Sequence, residues 1–138
     1  MNEPEHNLPN CRALLVIAHG SPRAIANADL YRLLDVCRNR HLFDIVQEAF
    51  LECNEPSIPA AIDLCAAFGA SEVVAVPFFL HTGKHVAEDL PTLLESGRRR
   101  HPRITFRMGE YIGNSPFITS ILVKRLNEAV SSLHNEVG

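Results

Sequence analysis

The chain has 138 residues, 46% of them hydrophobic and 21% charged. That length supports one globular domain with a core, but leaves little room for a deep cleft enclosed by a single subunit. A formal net charge of −3 excludes the basic stripe that nucleic acid needs, and no apolar stretch is long enough to span a membrane. Cys11, Cys37, Cys53 and Cys65 have neither metal-finger nor C-x-x-C spacing, which fits reduced, mostly buried thiols in a cytoplasmic protein.

The first residues are polar and acidic, without a signal-peptide charge pattern, so 1–10 reads as a flexible tail ahead of a single domain over 11–138. The continuous apolar run at 13–18 predicts a strand buried on both faces, and it runs into His19-Gly20-Ser21-Pro22. Ser21 and Pro22 supply a helix cap and a first-turn proline. That helix continues to about Arg40, with Leu30, Leu33, Leu34 and Cys37 at i, i+3, i+4, i+7 spacing. A second strand over 44–52 alternates, with Val46, Glu48, Phe50 and Glu52 on one face. Ser57 and Pro59 open the next helix, which carries Ile58, Ala61, Ile62 and Cys65 on one stripe and ends at Gly69. The third strand is the apolar run at 73–80, followed by His81-Thr82-Gly83-Lys84-His85. The helix after it turns Val86, Leu90, Leu93, Leu94 and Gly97 inward, and Pro91 limits how early it begins. Arg98-Arg99-Arg100 falls near its end, where cations favour the macrodipole. A fourth strand over 104–108 alternates. Asn114, Ser115 and Pro116 start the last helix, with Ile118, Ile121, Leu122, Leu126, Ala129 and Leu133 on its buried side.

The βαβαβαβα pattern predicts an α/β, flavodoxin-like domain with a four-stranded parallel sheet flanked by helices. Strands one and three are apolar on both faces and therefore central. Strands two and four alternate and therefore lie at the edges, which gives the order 2-1-3-4 with right-handed crossovers. The chain then reverses direction between strands one and three. Ligands bind at such a switch point, outside the carboxyl ends of the strands. His19, His81 and His85 flank that crevice. Imidazole is a metal ligand and a proton acceptor near neutral pH, although a histidine here reads equally well as a packed structural group. Glu52 ends strand two on the same edge, where a carboxylate can bind a divalent metal or accept protons; it reads equally as a solvated edge residue. Glu55 is a weaker candidate in the following loop. Ser21, Arg23 and Lys84 stand beside the crevice as candidates to hold substrate carboxylates. Glu88 and Asp89 fit the start of a helix better than they fit catalysis. There is no G-x-G-x-x-G, no phosphate-binding P-loop and no G-x-S-x-G, which disfavours dinucleotide, triphosphate and serine-hydrolase chemistry.

Three segments resemble, in order, the motifs of the small sirohydrochlorin chelatases of the CbiX/SirB type. They are Leu15-Val16-Ile17-Ala18-His19-Gly20-Ser21, Ala49-Phe50-Leu51-Glu52 with Glu55-Pro56-Ser57-Ile58-Pro59, and Val76-Pro77-Phe78-Phe79-Leu80 with Gly83-Lys84-His85-Val86-Ala87-Glu88-Asp89-Leu90-Pro91. The resemblance covers most of 13–125. It implies a lyase that inserts a divalent metal into sirohydrochlorin for cobalamin or sirohaem biosynthesis. Cobalt, iron or nickel enters as substrate and no prosthetic group is needed. It also implies that His19 and His85 bind the metal and that Glu52 is an acidic group near it. His81 matches no required position. Larger members of this class resemble two such domains facing each other, so a chain of this size is expected to pair as a homodimer. A non-enzymatic carrier or sensor of divalent metal, using the same histidines, is the competing expectation.

Overall fold

A computed structural model describes residues 10–136, apart from the side chains of His85 and of residues 133–136. The expected tail, but for Asn10, lies outside the described residues. Eight elements alternate along the chain: β1 (Arg12–Ala18), α1 (Ala24–Asn39), β2 (Ile45–Phe50), α2 (Ile58–Ala67), β3 (Glu72–Pro77), α3 (Lys84–Arg100), β4 (Thr105–Met108) and α4 (Pro116–Glu136). The strands form one parallel sheet in the order β2-β1-β3-β4, as the apolar pattern predicts. β1 is the central ladder, pairing Val16 with Glu48 on one side and with Val76 on the other.

Alternate residues of the buried strands feed two cores. On one face Leu15, Ile17, Val73 and Ala75 pack under Ile58 and Ile62 of α2 and Leu90 and Leu94 of α3. On the other, Leu14, Val16, Val46 and Phe50 pack under Leu30 and Leu34 of α1. A charged ladder closes the amino-terminal edge of that second face. Glu72 of β3 accepts from Arg12 of β1 at 3.1 Å and from Arg107 of β4 at 2.9 Å. Those two guanidiniums, Arg12 first, hold its carboxyl below the usual range.

Several boundaries differ from expectation for local reasons. α1 starts at Ala24, and Ser21 does not cap it: the Ser21 hydroxyl accepts from the Arg23 N–H at 3.1 Å, tightening a turn ahead of the helix. β2 stops at Phe50, so Glu52 sits in a loop. There the Phe50 N–H donates to the Pro56 carbonyl, and the chain doubles back. β3 likewise ends at Pro77, short of 80. Ser57 caps α2 as read, its hydroxyl accepting from the Ala60 N–H at 3.3 Å. Pro91 does not delimit α3, which runs through it from Lys84. Leu90 and Leu94, both buried, hold the turns on either side of this exposed proline.

The largest departure is α4. Ile118 is half-buried, and every residue from Thr119 to Ser132 is exposed, including Ile121, Leu122, Leu126 and Ala129. Leu133 lies outside the described side chains. The apolar stripe exists, but it does not cover the sheet of its own chain.

Candidate active site

The carboxyl ends of β1, β2 and β3 meet at one edge of the sheet. The β1 chain leaves Ala18 into His19-Gly20-Ser21, and the loop after β2 clamps that turn. The Leu51 N–H donates to the Ala18 carbonyl, and the Glu52 N–H donates to the His19 carbonyl, both at 3.0 Å. Gly20 has φ +90°, a left-handed conformation that favours glycine, and a Cβ placed there would overlap the Glu52 carbonyl oxygen. The Ser21 N–H donates to the Asn54 side-chain oxygen at 2.7 Å. Buried Asn27 of α1 reaches back to the Ser21 carbonyl at 3.4 Å. The backbone on either side of His19 is therefore fixed from two directions.

The His19 ring is exposed and leans on buried Phe79, with ring centroids 4.7 Å apart at 48°. This contact sets the direction of the imidazole without occupying either nitrogen. Among the described residues no hydrogen bond or ion pair engages the carboxylate of Glu52, the guanidinium of Arg23 or the ammonium of Lys84, and all three residues are exposed. Lys84 is the first residue of α3. The Gly83 cap before it makes no side-chain bond, so backbone N–H groups of the first turn face outward. His81 is exposed in the loop between β3 and α3. The backbone places His85 as the second residue of α3; its side chain lies outside the described residues. Among those residues, no three histidine, cysteine or carboxylate side chains gather closely enough to hold a metal ion.

Two positioning residues escape a reading of the sequence alone. Asn54 had a faint signal, an asparagine in a turn-rich stretch next to Glu55-Pro56. Phe79 had none, because nothing in a run of eight apolar residues marks the one beneath a histidine.

A cleft of about 250 Å3 opens on this edge between Pro77, Thr82, Leu90 and Tyr111. It is small for a macrocycle. The larger cavity, about 710 Å3, lies at the opposite, amino-terminal edge, among Cys11, Phe68, Ser71, His101 and Ile104. There His101 Nε2 lies 2.7 Å from the Asp63 carboxylate, which Arg100 also engages. Those partners, His101 first, hold the Asp63 carboxyl below its usual value. Burial pushes the nearby Cys65 thiol up to about 11. His101 and Asp63 beside this cavity are paired and Cys65 is kept neutral, and the chain reversal that favours ligand binding is at the other end. We therefore place the chemistry at the carboxyl-terminal edge, on the His19 turn; the smaller cleft lies on the same edge beside β4, and His19, Glu52 and Lys84 do not line it.

A doubly wound parallel sheet with an exposed imidazole at its switch point defines a chelatase-like α/β domain. The chain belongs to the CbiX family, whose sequence model matches residues 13–129. It is 26% identical to a chloroplastic sirohydrochlorin ferrochelatase of Arabidopsis thaliana over 132 residues, covering 96% of this chain and 59% of that protein. It is 27% identical to a sirohydrochlorin cobaltochelatase of Methanosarcina barkeri over 124 residues, covering 85% of this chain and 95% of that one. Among solved structures, it resembles the sirohydrochlorin chelatase SirB of Bacillus subtilis subspecies spizizenii in complex with cobalt. There the TM-score is 0.77 and the identity 26%, covering 86% of this chain and 50% of SirB. The chain spans about half the length of the first curated relatives it matches.

Proposed function

We propose that this protein is a sirohydrochlorin chelatase. It inserts a divalent metal, cobalt or iron, into sirohydrochlorin, giving a metallated tetrapyrrole on the way to cobalamin or sirohaem. The observation that carries the reading is the His19 turn: an exposed imidazole at the switch point, its backbone locked by the β2 loop and its ring leaning on Phe79. The names of the relatives support the same reaction.

Metal insertion exchanges two pyrrole protons for one divalent cation, so the protein must deliver the metal and carry off two protons. His19 and His85 are the proposed metal ligands. Neutral imidazole suits Co2+, Fe2+ and Ni2+. Two imidazoles, without thiolates, hold the ion weakly enough to pass it on. Glu52, exposed and without a side-chain partner among the described residues, is the proposed proton acceptor. Ser21, Arg23 and Lys84 ring the turn and are assigned to the acidic side chains of the macrocycle. No prosthetic group takes part.

His19 is exposed, and the cleft of about 250 Å3 on the same edge is too small for a tetrapyrrole, which supports a site completed by a second copy in a homodimer. No helix among the described residues is long and apolar enough to cross a membrane, in keeping with the cytoplasmic location proposed here.

The test is anaerobic mixing of the protein with sirohydrochlorin and Co2+, Fe2+ or Ni2+ in turn, following the tetrapyrrole absorbance against a protein-free control. Acceleration with at least one metal is the expected result. Metal binding by folded protein with no acceleration would replace this reading with that of a metal carrier.

A further inference from the structure

Cys53 stands at the crest of the loop that clamps the His19 turn, and its backbone has φ +67°. Left-handed backbone is uncommon for residues other than glycine. Among the described residues the other non-glycine with positive φ is His41, just past α1, where a left-handed residue commonly ends a helix. Cys53 ends no helix. It is exposed, its thiol is free, and it makes no side-chain hydrogen bond among the described residues. Nothing that the side chain touches sets the conformation.

The backbone on either side accounts for it. The Asn54 N–H donates to the Glu52 carbonyl at 2.8 Å, which closes a three-residue γ-turn with Cys53 at its centre. With positive φ this is the rare, strained hand of that turn. Its two arms make the clamp. The Glu52 N–H donates to the His19 carbonyl at 3.0 Å, and the Asn54 side-chain oxygen accepts from the Ser21 N–H at 2.7 Å. Both arms converge on Gly20: a Cβ there would overlap the Glu52 carbonyl oxygen and lie 3.0 Å from Asn54 Oδ1. In an extended chain, residues two apart are separated by roughly 7 Å. The γ-turn shortens that step, sets 52 and 54 on one turn of the partner segment, and throws Cys53 outward. Glu52 and His19 are thereby tied at the backbone, the proposed proton acceptor to a proposed metal ligand.

We infer that Cys53 is a positioning residue for metal insertion through its left-handed backbone rather than its thiol, the γ-turn fixing the spacing of the His19 imidazole and the Glu52 carboxylate. Strained backbone persists where the surrounding structure over-determines it, and it clusters at active sites. Here the bonds of Glu52 and Asn54 to the His19 turn do the over-determining. A small displacement of positioned groups lowers the rate of the chemical step. The role in rate rests on the chelatase reading above, while the γ-turn itself can be measured without substrate.

Substitution at this position in the full chain tests it, because backbone and thiol predict different orders. Cys53→Gly and Cys53→Asn remove the thiol but accept positive φ, whereas Cys53→Val removes it and its β-branch makes this φ an outlier. In metal insertion into sirohydrochlorin with Co2+ or Fe2+, the Gly and Asn variants should keep kcat within about twofold of wild type, and Cys53→Val should lose about tenfold in kcat with KM little changed. Amide hydrogen exchange is the substrate-free readout: the Glu52 N–H should exchange at least ~10-fold faster in Cys53→Val and at the wild-type rate in Cys53→Asn. Equal losses of kcat in all three variants would assign the role to the thiol and overturn the inference. An unchanged kcat and unchanged Glu52 exchange in Cys53→Val would overturn it as well, since the clamp would not depend on residue 53. Circular dichroism confirms folding; if Cys53→Val is not folded, the other two variants decide, and a tenfold loss of kcat in either overturns the inference. A wild type that inserts neither metal overturns the chelatase reading and with it the role in rate, and the exchange result then upholds or overturns the γ-turn by itself.

Discussion

The two ends of the sheet carry similar groups in opposite states. At the amino-terminal edge His101 is joined to Asp63, Asp63 to Arg100, and the thiol of Cys65 is kept neutral by burial, all around the larger cavity. At the carboxyl-terminal edge His19, Glu52 and Lys84 face solvent without side-chain hydrogen bonds among the described residues, and the order lies instead in the backbone beneath them. A histidine bound by an acid and an arginine has spent its hydrogen-bonding capacity on structure. One whose backbone is clamped and whose nitrogens are unused is available to a ligand. Cavity volume points to the first end and chemistry to the second.

The contrast can be broken at the clamp. Gly20→Ala forces a methyl group into the Glu52 carbonyl at a left-handed φ, and should cost more than ~2 kcal/mol in urea unfolding, because the β2 loop must shift. A change below half of that would mean the turn is soft and His19 is not preorganised. Asn54→Ala removes the acceptor of the Ser21 N–H without touching any proposed ligand. It should lower kcat about tenfold with KM little changed, as expected of a positioning residue. An unchanged kcat would remove Asn54 from the site. The smallest effect belongs to the other end. Asp63→Asn should cost less than ~1 kcal/mol at neutral pH, since its ion pairs are half-exposed. The sign with pH follows from the lowered carboxyl: the wild type holds its advantage above the unfolded value near 3.8 and loses it as the pH falls through the lower folded value. Urea titrations of the two proteins should therefore converge in acid. An advantage that grew there would contradict the pairing.

Much of this was legible in the sequence, for identifiable reasons. The apolar runs ending at Ala18 and Leu80 marked β1 and β3 as central and hence the order of the sheet, although only β1 is buried on both faces and β3 on one. Ser57 and Pro59 marked the start of α2 because capping is a local property. The clamp was not legible. It depends on hydrogen bonds between residues more than thirty positions apart, such as the Leu51 N–H with the Ala18 carbonyl and the Ser21 N–H with the Asn54 side chain, and no pattern within either segment announces the other. The placement of α4 was missed because periodicity reports that a helix carries an apolar stripe, not whether the helix folds back onto its own sheet. The motifs around His85 resemble the family's, while its side chain lies outside the described residues.

The most direct test of the account sets one histidine against the other. Initial rates of metal insertion into sirohydrochlorin should fall at least ~100-fold in His19→Ala and stay within about twofold of wild type in His101→Ala. Equal losses in the two variants, or a loss confined to His101→Ala, would contradict it and move the active site to the amino-terminal cavity.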